Sequence, residues 1–147
     1  MATVRYIVDD VDAALAFYRE HLGFRVVMHP APAFAMLARG DLRLLLSRPG
    51  GGPGGGAPLP DGTLPRPGGW NRISLEVSGI EAEADRLRRA GVRFRGGIVT
   101  GVGGRQVLLD DPSGNPVELF EPLLPGAREQ TATGPTPTVP GTDASGG

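Results

Sequence analysis

Apolar and polar positions along the chain change period from two to about 3.6 and back, and the sequence does this twice. Residues 3–8 (TVRYIV) alternate as a strand, with Val4, Tyr6 and Val8 on one face and Thr3, Arg5 and Ile7 on the other. Asp10 then predicts a helix over 11–22, because Val11, Ala14, Leu15, Tyr18 and Leu22 form one apolar stripe and Gly23 can end it in the left-handed conformation. Three strands follow: 24–28, stopped by His29-Pro30-Ala31-Pro32; 33–38; and, after the Gly40-Asp41 turn, 42–47. In the last of these, Leu44-Leu45-Leu46 predicts cover on both faces. The second pass begins with a strand over 70–77. Ser78-Gly79-Ile80-Glu81 has the form of a capping box, and Ile80, Ala84 and Leu87 predict a helix over 79–90 ending at Gly91. A short strand at 92–95, a Gly-rich turn region at 96–104 and a strand at 105–110 complete the order.

The chain then reaches its most informative segment, Asp110-Asp111-Pro112-Ser113-Gly114-Asn115-Pro116-Val117-Glu118-Leu119-Phe120. Pro112 presets φ for a turn and Gly114 or Asn115 can take positive φ, so two strands meet here as a hairpin. Alternation after the turn puts Pro116, Glu118 and Phe120 on one face and Val117 and Leu119 on the other. Glu118 is thus a carboxylate in mid-strand beside an aromatic ring, either solvated or set in a concave site.

Composition narrows the chemistry. The 147 residues suit one domain, expected over 1–122 as modules of about 1–48 and 70–122. Glycine and proline, 24 and 15 in all, concentrate in a connector at 49–69 and in a tail at 123–147 that is expected to be disordered. A net charge of −1 supplies no field for nucleic acid or acidic membranes. With no cysteine, disulfides and thiolate chemistry are excluded. No secretion signal or run of roughly 20 apolar residues is visible, so the expectation is a cytoplasmic protein. His21 falls in the last helical turn, where the dipole favours it, and His29 reads as a loop residue.

Aligning Val8-Asp9-Asp10-Val11 on Val77-Ser78-Gly79-Ile80 superposes the two passes, and Gly40 to Leu46 then plays the part of Gly114 to Phe120. Two βαβββ units follow, an α+β fold. Their order, the segment Asp10 to Tyr18 followed by Leu22-Gly23-Phe24, and the ending Asp111 to Leu119 together resemble the glyoxalase, bleomycin-resistance and extradiol-dioxygenase superfamily (the vicinal oxygen chelate fold) over about residues 3–122. The resemblance implies a curled, cup-shaped mixed sheet with helices outside.

In metal-using members of that superfamily, a histidine or glutamine on the first strand and a glutamate on the last strand of each half hold a divalent ion. Here those positions fall on Thr3, on Arg72 or Ser74, on Leu44 or Leu45, and on Glu118. Only Glu118 matches, and a guanidinium repels a cation, so no metal and no cofactor are expected. The resemblance instead makes Thr3, Arg5, Leu45, Trp70, Ser74, Gln106 and Phe120 candidates to line a small-molecule site with Glu118 and Arg72. The leading reading is a metal-independent protein that binds a small organic ligand as a homodimer. An alternative is a metal-free isomerase, cyclase or lyase with Glu118 as acid or base and Arg72 stabilising an oxyanion. A metal-dependent glyoxalase or dioxygenase is a third.

Overall fold

The computed structural model of the chain describes residues 1–51 and 55–123. The expected disordered tail lies outside them apart from Leu123. Among the described residues no helix is long and apolar enough to cross a membrane. The fold is α+β, with two helices and two mixed sheets. The described residues divide into two compact units, 1–73 with 109–117, and 74–108 with 118–123.

The first unit holds β1 (Ala2–Ile7), α1 (Val11–Leu22), β2 (Arg25–Ala31), β3 (Phe34–Arg39) and β4 (Leu42–Ser47). The strands are ordered β1-β4-β3-β2, with β1 parallel to β4 and the other pairs antiparallel. Helix α1 begins where the Asp10 side chain accepts from the Ala13 N–H at 3.0 Å and ends where Gly23 takes φ 72°, with the Phe24 N–H donating to the Tyr18 carbonyl. Its stripe, widened by Phe17, packs on β2, β3 and β4, whose Leu37, Leu44 and Leu46 are fully buried. Contrary to expectation, β2 does not stop at Met28 but runs through His29 and Pro30 with two irregularities in register. It is the edge strand, so the N–H that proline lacks costs no ladder bond. His29 is therefore a strand residue rather than a loop residue, and its Nε2 lies 3.5 Å from Asp12.

The turn after residue 110 belongs to this first unit and is its polar keystone. Gly114 takes the positive φ, 85°. Asp111, 4% exposed, accepts from the Ser113 and Asn115 N–H groups on one oxygen and from the Tyr18 hydroxyl (2.8 Å) and the Asn115 amide on the other. The same Asn115 amide donates to the Ile7 carbonyl, and its oxygen accepts from the Gly68 N–H. Tyr6 adds a second tie, its hydroxyl donating to the Pro116 carbonyl at 2.7 Å and accepting from the Ile73 N–H. Burial pushes the Asp111 carboxyl above its ordinary value against the pull of these donors. Burial and then the Asp111 charge hold the Tyr18 hydroxyl well above its own.

The second half of the chain repeats the order with one addition: β5 (Ile73–Glu76), α2 (Ile80–Arg89), β6 (Arg93–Phe94), β7 (Val99–Thr100), β8 (Gly104–Asp110) and β9 (Pro116–Pro122), arranged β5-β9-β8-β6 with β7 paired to β8. Strand β7 lies in the stretch expected to be only a Gly-rich turn. Strand β5 starts at Ile73 rather than at residue 70, after Gly68 and Gly69, both at positive φ. Ile80, Ala84 and Leu87 of α2 and Leu75, Val107 and Leu119 of the strands are buried, the core of the second unit.

The capping box does not form. Gly79 is the N-cap of α2 and makes no side-chain cap bond. Instead Glu121 on β9 accepts from the Gly79 N–H at 2.8 Å and the Ile80 N–H at 3.3 Å, and Arg105 bridges Glu121 and Glu81. A carboxylate on two orphan amides at the positive end of a helix does what a capping serine does, with a full charge. Those amides, with Arg105, hold Glu121 below its ordinary value.

Candidate functional site

Each sheet has one face covered by its helix and one that is not, and strand parity sorts the candidate residues between them. On the first sheet the register defines rows across the strands. Thr3, Arg43, Ala38 and Arg25 form one row, and Arg5, Leu45, Met36 and Met28 form the next. Ile7, Ser47, Phe34 and Ala31 form a third. The rows between them, such as Val4, Leu44, Leu37 and Val26, face α1. Thr3, Arg5 and Leu45 therefore share the face away from the helix. Leu45 is half-buried while Leu44 is sealed, so the cover expected on both faces of β4 is complete only on the helix side.

On the second sheet Ser74 on β5 is exposed, and Gln106 and Leu108 on β8 and Glu118 and Phe120 on β9 are half-exposed. The Ser74 hydroxyl donates to Glu118 Oε2 at 2.9 Å. The Phe120 ring lies over Gly104, where a Cβ would come within 2.8 Å of it. The absence of a side chain at Gly104 thus leaves room for the Phe120 ring against β8. The arrangement is a carboxylate oriented by a neutral donor and flanked by an aromatic surface, suited to accept a hydrogen bond from an organic ligand. Trp70 and Arg72 precede β5; Trp70 is 68% exposed, and an Arg72 N–H donates to the Trp70 carbonyl at 3.4 Å.

A model of the Glyoxalase/Bleomycin resistance protein/Dioxygenase superfamily matches residues 1–119. The chain belongs to that superfamily. No curated protein matches the sequence. Among solved structures, a superfamily member from Sphaerobacter thermophilus is 28% identical with a TM-score of 0.66, covering 82% of this chain and 95% of that one. An antibiotic binding protein, TnmS3 from a Streptomyces species, is 26% identical with a TM-score of 0.62, covering 82% and 93%. A lactoylglutathione lyase from Agrobacterium tumefaciens shares the fold at 24% identity and a TM-score of 0.63, covering 82% and 92%.

The divalent ion of metal-using superfamily members does not fit the donors present. Leu45, not the sealed Leu44, shares the face of Thr3, so the first half offers a hydroxyl and a hydrocarbon. The second offers Glu118 with the Ser74 hydroxyl already on one oxygen, or Arg72. Among the described residues no three His, Cys, Asp or Glu groups gather where a metal could be held. One carboxylate with hydroxyl neighbours is a poor set for a hard cation that wants several oxygen or nitrogen ligands.

Sequence reasoning grouped Ser74, Gln106, Glu118 and Phe120 with Thr3, Arg5, Leu45, Trp70 and Arg72 as one lining; in the structure Ser74 bonds Glu118 and the Phe120 ring reaches Gly104, while Trp70 and Arg72 lie before β5. It missed Arg43 and Arg25, although the parity that turns Leu45 away from the helix turns Arg43 the same way.

Proposed function

We propose that this superfamily member is a metal-independent small-molecule-binding protein whose ligand contacts the β9 face around Glu118. The observation that carries the reading is the Ser74–Glu118 hydrogen bond beside the Phe120 ring, in a donor set unsuited to a cation. Similarity to an antibiotic binding protein at 26% identity supports a binding role. The same reading carries a homodimer in the cytoplasm, which sedimentation equilibrium and cell fractionation test.

The direct test is Glu118→Gln, which keeps shape and removes charge. Calorimetric titration of a panel of aromatic antibiotics should find a binder for the wild-type chain. The variant should bind it at least tenfold more weakly, about 1.4 kcal/mol, with an unchanged melting temperature. Equal affinity of the two proteins for every panel member sinks the reading. Conversion of a bound compound by the wild-type chain and not by the variant would mark an enzyme instead.

A further inference from the structure

We propose that the face of the first sheet away from α1 is itself a binding site for an oxyanion, carboxylate or phosphate, carried on an apolar small molecule; this rests on the reading of the chain as a small-molecule-binding protein. The three rows on that face hold three guanidiniums, Arg5, Arg25 and Arg43, and no carboxylate. Between the charges the face is hydrocarbon, thioether and ring: Leu45, Met36 and Phe34. An even scatter of the chain's 15 basic and 16 acidic residues would not put three basic residues and no acid in these rows.

The state of Arg43 is the strongest indication. It is half-buried, and its hydrogen-bond partners are two thioethers, Met1 Sδ at 2.9 Å and Met36 Sδ at 3.4 Å. Sulfur is a weak acceptor, whereas a guanidinium is built for bidentate bonds to a carboxylate or phosphate. Arg5 stands diagonally from Arg43 on the adjoining strand, their Cβ atoms about 8 Å apart from strand spacing and rise. That span is bridged by two long side chains closing on one oxyanion. Arg5 is also held in place, since Gly55 packs so closely that a Cβ there would collide with its guanidinium. Ser47, in the adjacent row and 3% exposed, has a hydroxyl with no hydrogen-bond partner among the described residues.

The experiment is calorimetric titration of the full chain with three probes sharing one apolar body: 1-naphthoate, 1-naphthyl phosphate and the neutral 1-naphthamide. At least one anion should bind tenfold or more tightly than the amide, and the better of the two tells a carboxylate source from a phosphate source. Arg43→Gln and Arg5→Gln should each remove at least tenfold of that preference while leaving the amide unchanged. Arg19→Gln, in an exposed pair with Glu20, should change nothing. Circular dichroism checks that each variant folds, and Arg43→Lys, which keeps charge but loses the fork, should recover part of the loss. Equal binding of anion and amide, no effect of the Arg43 and Arg5 variants, or no binding of either anion overturns the inference. If the anions fail while Glu118→Gln still weakens an antibiotic from the panel, small-molecule binding stands and only the anion assignment falls.

Discussion

The two sheets share a strand order and differ in almost everything placed upon it. The uncovered face of the first carries three guanidiniums and no acid, whereas that of the second carries Glu118 with Ser74, Gln106 and Phe120. The means of pinning differ as well. In the first unit a buried carboxylate, Asp111, collects two backbone amides, a phenol and an amide side chain. In the second a more exposed carboxylate, Glu121, collects two helix amides and an arginine. The repeated skeleton is kept by apolar parity, which fixes only the helix-side faces. The other faces are free to hold different chemistry.

The comparison breaks most readily at Asp111. Asp111→Ala strands the Ser113 and Asn115 N–H groups and the Tyr18 hydroxyl in a buried place, and urea unfolding should show a loss of about 3–5 kcal/mol. Tyr18→Phe removes one donor and leaves the other three, so its loss should be smaller, about 1–2 kcal/mol. A cost below about 1 kcal/mol for Asp111→Ala would show that the turn does not hold the first unit.

These positions also mark where the sequence could be read and where it could not. Helix α1 was legible throughout, because Asp10, the apolar stripe and Gly23 act within a few residues of one another. Parity alone put Thr3 with Arg5 and Glu118 with Phe120 but left Leu44 or Leu45 and Arg72 or Ser74 open; the pairing register turns Leu45 to the side of Thr3, and Ser74 bonds Glu118. The capping of α2 was not, because Glu121 reaches Gly79 across 42 positions and displaces a local motif that looked sufficient. Nor was the bond from Tyr18 to Asp111, 93 positions apart, since a tyrosine in an apolar stripe gives no sign of where its hydroxyl goes. The end of β2 was misjudged because proline stops a strand only where its N–H is needed, and edge position is a property of the whole sheet.

Acid sharpens the comparison, with an expected effect smaller than that of the Asp111 truncation. Glu121 is held below its ordinary value of 4.5, so its contribution is fully present above that pH and is lost as pH falls through the folded-state value. Asp111 is raised above its ordinary 3.8, so its linkage has the opposite sign, fully present below 3.8 and lost as pH rises through the folded-state value. Urea unfolding between about pH 3 and 7 should therefore show a flatter acid limb in Glu121→Gln and a steeper one in Asp111→Asn. Parallel limbs for the two variants would mean that neither acid carries the linkage assigned to it.

The smallest expected effect is that of a metal, and it tests the two halves together. A hard divalent cation gains enough from a protein site only when several oxygen or nitrogen ligands replace its water. The first half offers Thr3 and Leu45 at the matching positions, and the second offers Glu118 with either a hydroxyl at Ser74 or a cation at Arg72. One carboxylate with a hydroxyl neighbour cannot offset the dehydration of such an ion. Dialysis against chelator should leave the melting temperature unchanged, and adding Ni, Zn, Mn or Fe(II) salts should not raise it. Because a ligand that binds only the folded chain stabilises it by about 2.7 kcal/mol at a hundredfold excess over its Kd, real occupancy would be plain in a thermal scan. A rise with one of these metals that disappears in Glu118→Gln would show that Glu118 recruits ligands from elsewhere, and the metal-independent reading would fall.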